Sequence, residues 1–230
     1  MINEDDVETL ASAAGVLAPS TSIYLEEDFV MNLLETVLDY MLPTEVVVKA
    51  LEHFRENRWN EVRKLDDLDQ LMARFPEDQT GNTALAQHLW GYNFWTRAQQ
   101  LRELARYFRR IGVVDQERLK QWALTSTFKN DFEGQVKGLG PAVYQWLVMR
   151  QGVDTVKPDV HVRRFAEAAV GRKLNDQDVI ELTTRAAARI GVKAFELDWR
   201  IWGGVPGRCP PLPDPTDLRH PEDRRRVPAL

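Results

Sequence analysis

The feature that most constrains this chain is a helical repeat of apolar residues that runs through nearly all of it. Val30, Leu33, Leu34, Val37, Leu38 and Met41 recur at the i, i+3, i+4, i+7 spacing of one helix face, and Pro43 ends the run. Thr44 to Phe54 restarts the pattern with Val47, Ala50, Leu51 and Phe54 on one side. Leu65–Phe75 and Thr83–Trp90 read as shorter helices, separated by Pro76 and the turn-forming cluster Asp78–Asn82. Ala98, Leu101, Leu104, Ala105 and Phe108 predict another amphipathic helix, closed by Gly112. Arg118–Leu124, Pro141–Gln151, Val160–Val170 and Asp176–Ile190 complete the series. No window alternates apolar and polar residues with β-branched side chains, so the expected fold is all-α. Helix lengths vary and no fixed period repeats, which excludes a solenoid.

Composition narrows the class. At 230 residues, 43% hydrophobic and 28% charged, the chain has the makeup of an ordinary soluble protein of one large domain or two intimate lobes. No stretch approaches the length of a membrane span, and Met1–Asp6 is acidic, unlike a secretory leader. A cytoplasmic location of the bacterial type or a nuclear compartment is expected rather than secretion, with no membrane partner. The single cysteine, Cys209, excludes an intrachain disulfide, a cysteine-ligated iron–sulfur cluster and a multi-cysteine zinc site. Neither a metal nor another cofactor is expected. Ala13–Ser22 reads as an irregular lead-in. Gly203–Leu230 is proline-rich, carries Arg224-Arg225-Arg226, and reads as an extended tail that either touches nucleic acid or is simply solvated.

The net charge of −5 is unevenly distributed. Residues 1–96 hold 6 Lys/Arg against 18 Asp/Glu, whereas residues 97–164 hold 13 against 7. Positive charge therefore gathers around residues 136–141, where phosphates would be met. The other reading is that Arg97, Arg102, Arg106, Arg109 and Arg110 line a solvated helix face.

The chemistry-bearing stretch begins at Val136 and continues as Lys137-Gly138-Leu139-Gly140-Pro141. Two glycines flanking Leu139 allow a tight turn with exposed backbone, and Leu139 is placed to plug between the flanking helices. Pro141 suits a first helical position, where its missing N–H costs nothing. The first amides of the helix that follows have no intrahelical acceptor and can hold a phosphate without reading sequence. The same pattern also serves as a plain turn between helices, and both readings stand at this point. Asp159 follows 19 residues after Gly140, inside Lys157-Pro158-Asp159-Val160-His161. Ahead of Val162, Phe165, Ala166 and Ala169, it is a good N-cap. A carboxylate there can also stabilise a positively charged sugar as an N-glycosidic bond breaks, and one residue can fill both roles.

Val136–Gly140 followed by Asp159-Val160-His161-Val162 resembles the helix-hairpin-helix–GPD superfamily of DNA glycosylases, which includes endonuclease III and the alkyl-base and 8-oxoguanine enzymes. Phe29–Phe54 resembles the family's first helix pair, and Gly91–Leu104 its Gly-aromatic-x-x-x-Lys-Ala segment, with Arg97-Ala98 in the Lys-Ala place. Coverage is roughly residues 29–170. The resemblance implies a two-lobed helical fold with an active-site cleft between lobes. One lobe would span residues 29–158 with the hairpin at 136–141; the other would combine 1–28 with 159–230. It also implies double-stranded DNA carrying a damaged base as the partner, a monomeric enzyme, and base excision as the reaction. Asp159 then falls on the essential aspartate. His161 falls on a phosphate-contacting histidine, although a buried structural histidine is the other reading. Val136, Lys137, Gly138, Leu139 and Gly140 fall on the backbone-binding hairpin.

Three departures shape the expected activity. The place of the strand-cleaving lysine is Ala142, which implies a monofunctional enzyme with water as nucleophile. The cluster cysteines are missing, and the Ser-x-Gln segment after the first helix is replaced by Asp39-Tyr40-Met41. Tyr40, Met41, Trp95 and Trp146 are candidate walls of a base pocket, with the alternative that the aromatics belong to the core. Electron-rich rings and the absent lysine point towards an alkylated base. The competing functions are a non-catalytic DNA-binding relative, and an oxidised-base enzyme with lyase activity through Lys137 or Lys157.

Overall fold

The computed structural model describes residues 1–19 and 24–204. It contains α1 (Glu4–Ala14), α2 (Phe29–Leu38), α3 (Thr44–Asn57), α4 (Leu65–Met72), α5 (Gln79–Trp90), α6 (Trp95–Arg110) and α7 (Gln116–Thr125). A π-helical turn (Phe128–Phe132) precedes α8 (Pro141–Met149), α9 (Val160–Val170), α10 (Asp176–Arg189) and α11 (Ala194–Gly203). No strand occurs among the described residues, and the fold is all-α. None of these helices is long and apolar enough to cross a membrane. The tail beyond Gly204, with Cys209 and Arg224-Arg225-Arg226, lies outside the described residues, as does part of Ala13–Ser22.

Two helices appear where periodicity singled out none. α1 begins with a reciprocal cap, Asp6 N–H donating to Asn3 Oδ1 at 2.8 Å and Asn3 N–H donating back to Asp6 Oδ2 at 3.2 Å. α11 begins at Ala194 and buries Leu197, Asp198 and Ile201. One expected helix is shorter than its apolar face. α2 stops at Leu38, and after the intervening bend Pro43 opens α3 as its N-cap in extended conformation. Met41 is left outside with φ of +57°.

The described chain divides into two compact units. The first comprises Met1–Leu25, Ser126–Glu133 and residues 139–204. Its core joins α1, α9, α10 and α11 through Val7, Leu10, Val162, Ala166, Leu182, Ala186, Leu197 and Ile201. The second comprises Glu26–Thr125 and Gly134–Gly138. Its axis is α2, buried along its whole length and packed on α3, α4 and α6. The polar residues on that axis are satisfied internally: Thr36 Oγ1 donates to the Asn32 carbonyl at 2.6 Å, and Asn32 Nδ2 donates to the Glu26 carbonyl at 2.8 Å.

Candidate functional site

Asp159 is the N-cap of α9. Its Oδ1 accepts the N–H groups of His161 at 2.8 Å and Val162 at 3.1 Å, which fixes the carboxylate plane. Its Oδ2 is buried and has no hydrogen-bond partner among the described residues. Beside it on α11 stands Asp198, 4% exposed, whose Oδ2 accepts the Lys157 N–H at 2.8 Å. The turn that presents Asp159 is therefore clamped from the neighbouring helix. Nothing in the sequence reading assigned Asp198 a role. Its one visible signal is a charged residue on the face that α11 otherwise buries with Ala194, Leu197 and Ile201.

Burial, then the charge of Asp159, pushes the Asp198 carboxyl from 3.8 up to about 8, against the opposing Lys157 N–H and ammonium. The folded protein thus holds a proton there that the unfolded chain releases. The resulting stability is complete below about pH 4 and is lost as pH rises towards about 8, at no more than about 1.4 kcal/mol per pH unit. Asp198→Asn keeps the shape and removes the titration. Urea midpoints between about pH 5 and pH 8 should then fall less steeply with pH than in the wild type. Parallel curves would mean that Asp198 ionises as an ordinary carboxylate. Glu26, pushed to about 7 mainly by burial, retains part of the slope in both proteins.

The same unit contains an aromatic wall. Trp146 is 7% exposed, stacks on Tyr24 at 5.9 Å and 13°, and meets Trp199 edge-on at 6.1 Å. Tyr24, Trp146, Trp199 and Phe195 line a pocket of about 210 Å³, with Lys193 among them. His161 is half-buried, with its ring 4.9 Å from that of Trp202. Leu139 is buried at the start of this unit, and Pro141 occupies the first helical position of α8. Gly140 is the N-cap in extended backbone, and no atom lies within 4 Å of where a Cβ would stand. The tight turn therefore does not demand a glycine there. What Gly140 provides is open space against the amides.

In the second unit, Val136 is buried while Lys137 and Gly138 are exposed. Gly138 has φ of +86°, which favours glycine, and an added Cβ would stand 3.0 Å from Gln100 Nε2, the movable end of a side chain. Gln100 Nε2 donates to the Lys137 carbonyl at 3.0 Å, and the Lys137 N–H donates to Glu103 Oε2 at 3.2 Å. One hairpin amide thus already holds an anionic oxygen. Arg97 extends the network: it donates to Gln100 Oε1 at 2.9 Å and to the Tyr40 carbonyl at 2.6 Å, and lies 4.8 Å from the Tyr40 ring centre. α6 therefore ties the Tyr40–Met41 loop to the hairpin through Arg97, Gln100 and Glu103. Gln100 and Glu103 went unread in the sequence because they are ordinary polar residues of an amphipathic helix. Met41 is 81% exposed, while Trp95 is half-buried at the first turn of α6. The candidates thus fall in two groups. Asp159, His161, Trp146, Leu139 and Gly140 belong to the first unit, and Tyr40, Met41, Trp95, Val136, Lys137 and Gly138 to the second.

The arginines of α6 are mostly engaged within the protein. Arg102 is buried and donates to the carbonyls of Met72 and Phe75 and to Asn82 Oδ1. Arg109 pairs with Asp66 and Asp69, Arg106 with Glu77, and Arg110 with Gln135. Arg106, Arg109 and Arg110 make their pairs on an exposed face, whereas Arg102 is withdrawn from it. The acidic residues of the first 96 positions are what several of them neutralise.

The chain belongs to the family described as Domain of unknown function (DUF8548), which matches residues 34–204. No curated protein and no solved structure is significantly similar to it.

Proposed function

We propose that the chain is a monofunctional DNA N-glycosylase of the helix-hairpin-helix kind, acting on a damaged base in duplex DNA. The observation that carries this reading is Asp159, with one oxygen locked by two backbone N–H groups and the other buried and uncommitted. A fixed carboxylate with one oxygen in reserve suits the stabilisation of an oxocarbenium-like sugar. Water adds its oxygen to C1′ as the glycosidic bond breaks, the base leaves with the bonding electrons, and the proton given up by the water ends on the base. The free amides around Gly138 and Gly140 hold phosphate, aided by the exposed Lys137. Ala142 offers no amine, so the abasic product is left uncut.

The test is a panel of single-lesion duplexes, analysed with and without alkali and with borohydride. Alkali-dependent breaks and no trapped covalent complex are expected. Direct breaks, or a trapped complex abolished by Lys137→Ala or Lys157→Ala, would show a lyase instead. Because capping alone accounts for an Asp at this place, a second reading is a non-catalytic DNA-binding protein. Duplex binding without base release from any lesion is its outcome.

Met41 gives a prediction of opposite signs. An exposed methionine at a loop tip suits a wedge between base steps, but its left-handed backbone carries about 1–2 kcal/mol of strain. Met41→Gly should leave thermal stability unchanged or raise it by up to about 1 kcal/mol. The same variant should lose most of the unstacking reported by 2-aminopurine placed beside the lesion. Undiminished unstacking would remove Met41 from the interface.

A further inference from the structure

The aromatic pocket of the first unit is walled by Tyr24, Trp146, Trp199 and Phe195. At about 210 Å³ it is smaller than the roughly 300 Å³ at which pockets for drug-sized ligands begin, a size suited to one flat ring system. Three cations already touch its rings. Lys157 Nζ lies 5.2 Å and the Arg150 guanidinium 5.6 Å from the Trp146 ring centre, and Lys193 Nζ lies 5.3 Å from that of Phe195. No Asp or Glu lines the pocket among the described residues. The electron-rich faces that would attract a cationic base are therefore engaged, and a further positive charge meets like charge. Of the three cations, Lys193 lines the pocket itself, so a carbonyl oxygen there meets an ammonium, which offers three N–H groups and no acceptor. The pocket also adjoins the Asp159 turn. Trp199 follows Asp198 on α11, Asp198 holds the Lys157 N–H, and the Lys157 side chain reaches Trp146.

We propose that this pocket receives a flat, carbonyl-rich base, neutral or anionic, of the deaminated or oxidised kind, and disfavours cationic alkylated bases. This rests on the glycosylase reading and names its substrate class, reversing the preference that an inventory of aromatic residues suggests.

The experiment titrates the full chain at about pH 6 with free xanthine and with free 1-methyladenine, an oxygen-rich neutral ring and one that is cationic at that pH, and reads tryptophan emission. Xanthine should give saturable quenching at concentrations about tenfold lower than 1-methyladenine. Lys193→Glu should erase most of that preference. Lys193 is exposed at the start of α11, where an acidic residue is well tolerated, so the variant should fold. Equal quenching by the two bases, preference for 1-methyladenine, or no saturable quenching by either would overturn the proposal. Duplexes carrying each base, assayed for release in parallel, separate the two ideas. Selective quenching without release from any duplex upholds the pocket and sinks the glycosylase. Asp159-dependent release of the cationic base, with the xanthine duplex untouched, sinks the pocket assignment and upholds the glycosylase.

Discussion

Asp159→Asn should reduce single-turnover base release on the best lesion by on the order of 100-fold or more, while the protein stays folded and bound to DNA. The separation follows from the two oxygens of the side chain. Oδ1 caps α9 by accepting from His161 and Val162, and an asparagine carbonyl can accept the same two bonds. Asn ranks with Asp as an N-cap, so capping itself should change by less than about 1 kcal/mol, and any further loss reports the amide that takes the place of Oδ2. What the substitution removes is the negative charge that the proposed function sets against a positive sugar in the transition state. It also replaces the buried Oδ2 with an amide whose two N–H groups would need acceptors. Binding should survive because Lys137 and the amides around Gly138 and Gly140 are unchanged. Base release, duplex affinity and thermal melting measured on one preparation decide the matter. Release within a fewfold of the wild type, with melting unchanged, would leave Asp159 as a cap alone and end the catalytic proposal.

The sequence made the helical class legible because burial in this chain is periodic. Val47, Ala50, Leu51 and Phe54 are buried on α3 as their spacing requires, as are Leu101, Leu104, Ala105 and Phe108 on α6. Helix ends were less legible. The apolar spacing through Met41 continues a face that the backbone abandons three residues earlier, because apolar spacing reports which side chains want burial and not where the backbone turns. α1 went unread although Val7, Leu10, Ala11 and Ala14 repeat correctly, since two small alanines and an acidic first turn give a weak apolar signal.

The candidate site divides in the same way. Asp159 was legible because a cap is a local matter, set by the residue and the helix that follows it. Asp198 was not, since its significance depends on Lys157, 41 positions away in sequence, and on burial that no spacing reveals. The basic excess of residues 97–164 misled for a related reason: charge counted along a chain does not show which carboxylates have already met it. Asp66, Asp69 and Glu77 lie on the segments that pack against α6 or flank them, and only the fold pairs them with Arg109 and Arg106. Arg102 differs again, because its partners are carbonyl groups that carry no mark in the sequence.

Arg102→Ala should therefore destabilise the protein by roughly 3 kcal/mol or more, out of the roughly 5–15 kcal/mol that holds a domain of ordinary stability. Met72 is the last residue of α4, and its carbonyl is one of those the helix cannot satisfy internally. Arg102 Nη1 donates to it at 2.8 Å, Nη2 donates to the Phe75 carbonyl at 2.9 Å, and Nε donates to Asn82 Oδ1 at 2.9 Å. A cation at the C-terminal end of α4 also complements the helix dipole. One side chain from α6 thus closes α4, fixes the turn after it and reaches α5. Truncation takes the donor from the Phe75 carbonyl and from Asn82 Oδ1 and leaves the Met72 carbonyl with the Phe75 N–H alone, at a place where Arg102 and Asn82 are only 4% and 2% exposed, and each buried acceptor so abandoned costs about 1–3 kcal/mol. Arg106→Ala is the matched control. Its pair with Glu77 is more than half exposed on both sides, so its loss should cost less than about 1 kcal/mol. Urea unfolding of the two variants should show midpoints that differ several-fold more for Arg102 than for Arg106, at unchanged slope. Similar small shifts in both would mean that water replaces the guanidinium at the end of α4. The second unit would then be far more loosely packed around that turn than its buried polar contacts require.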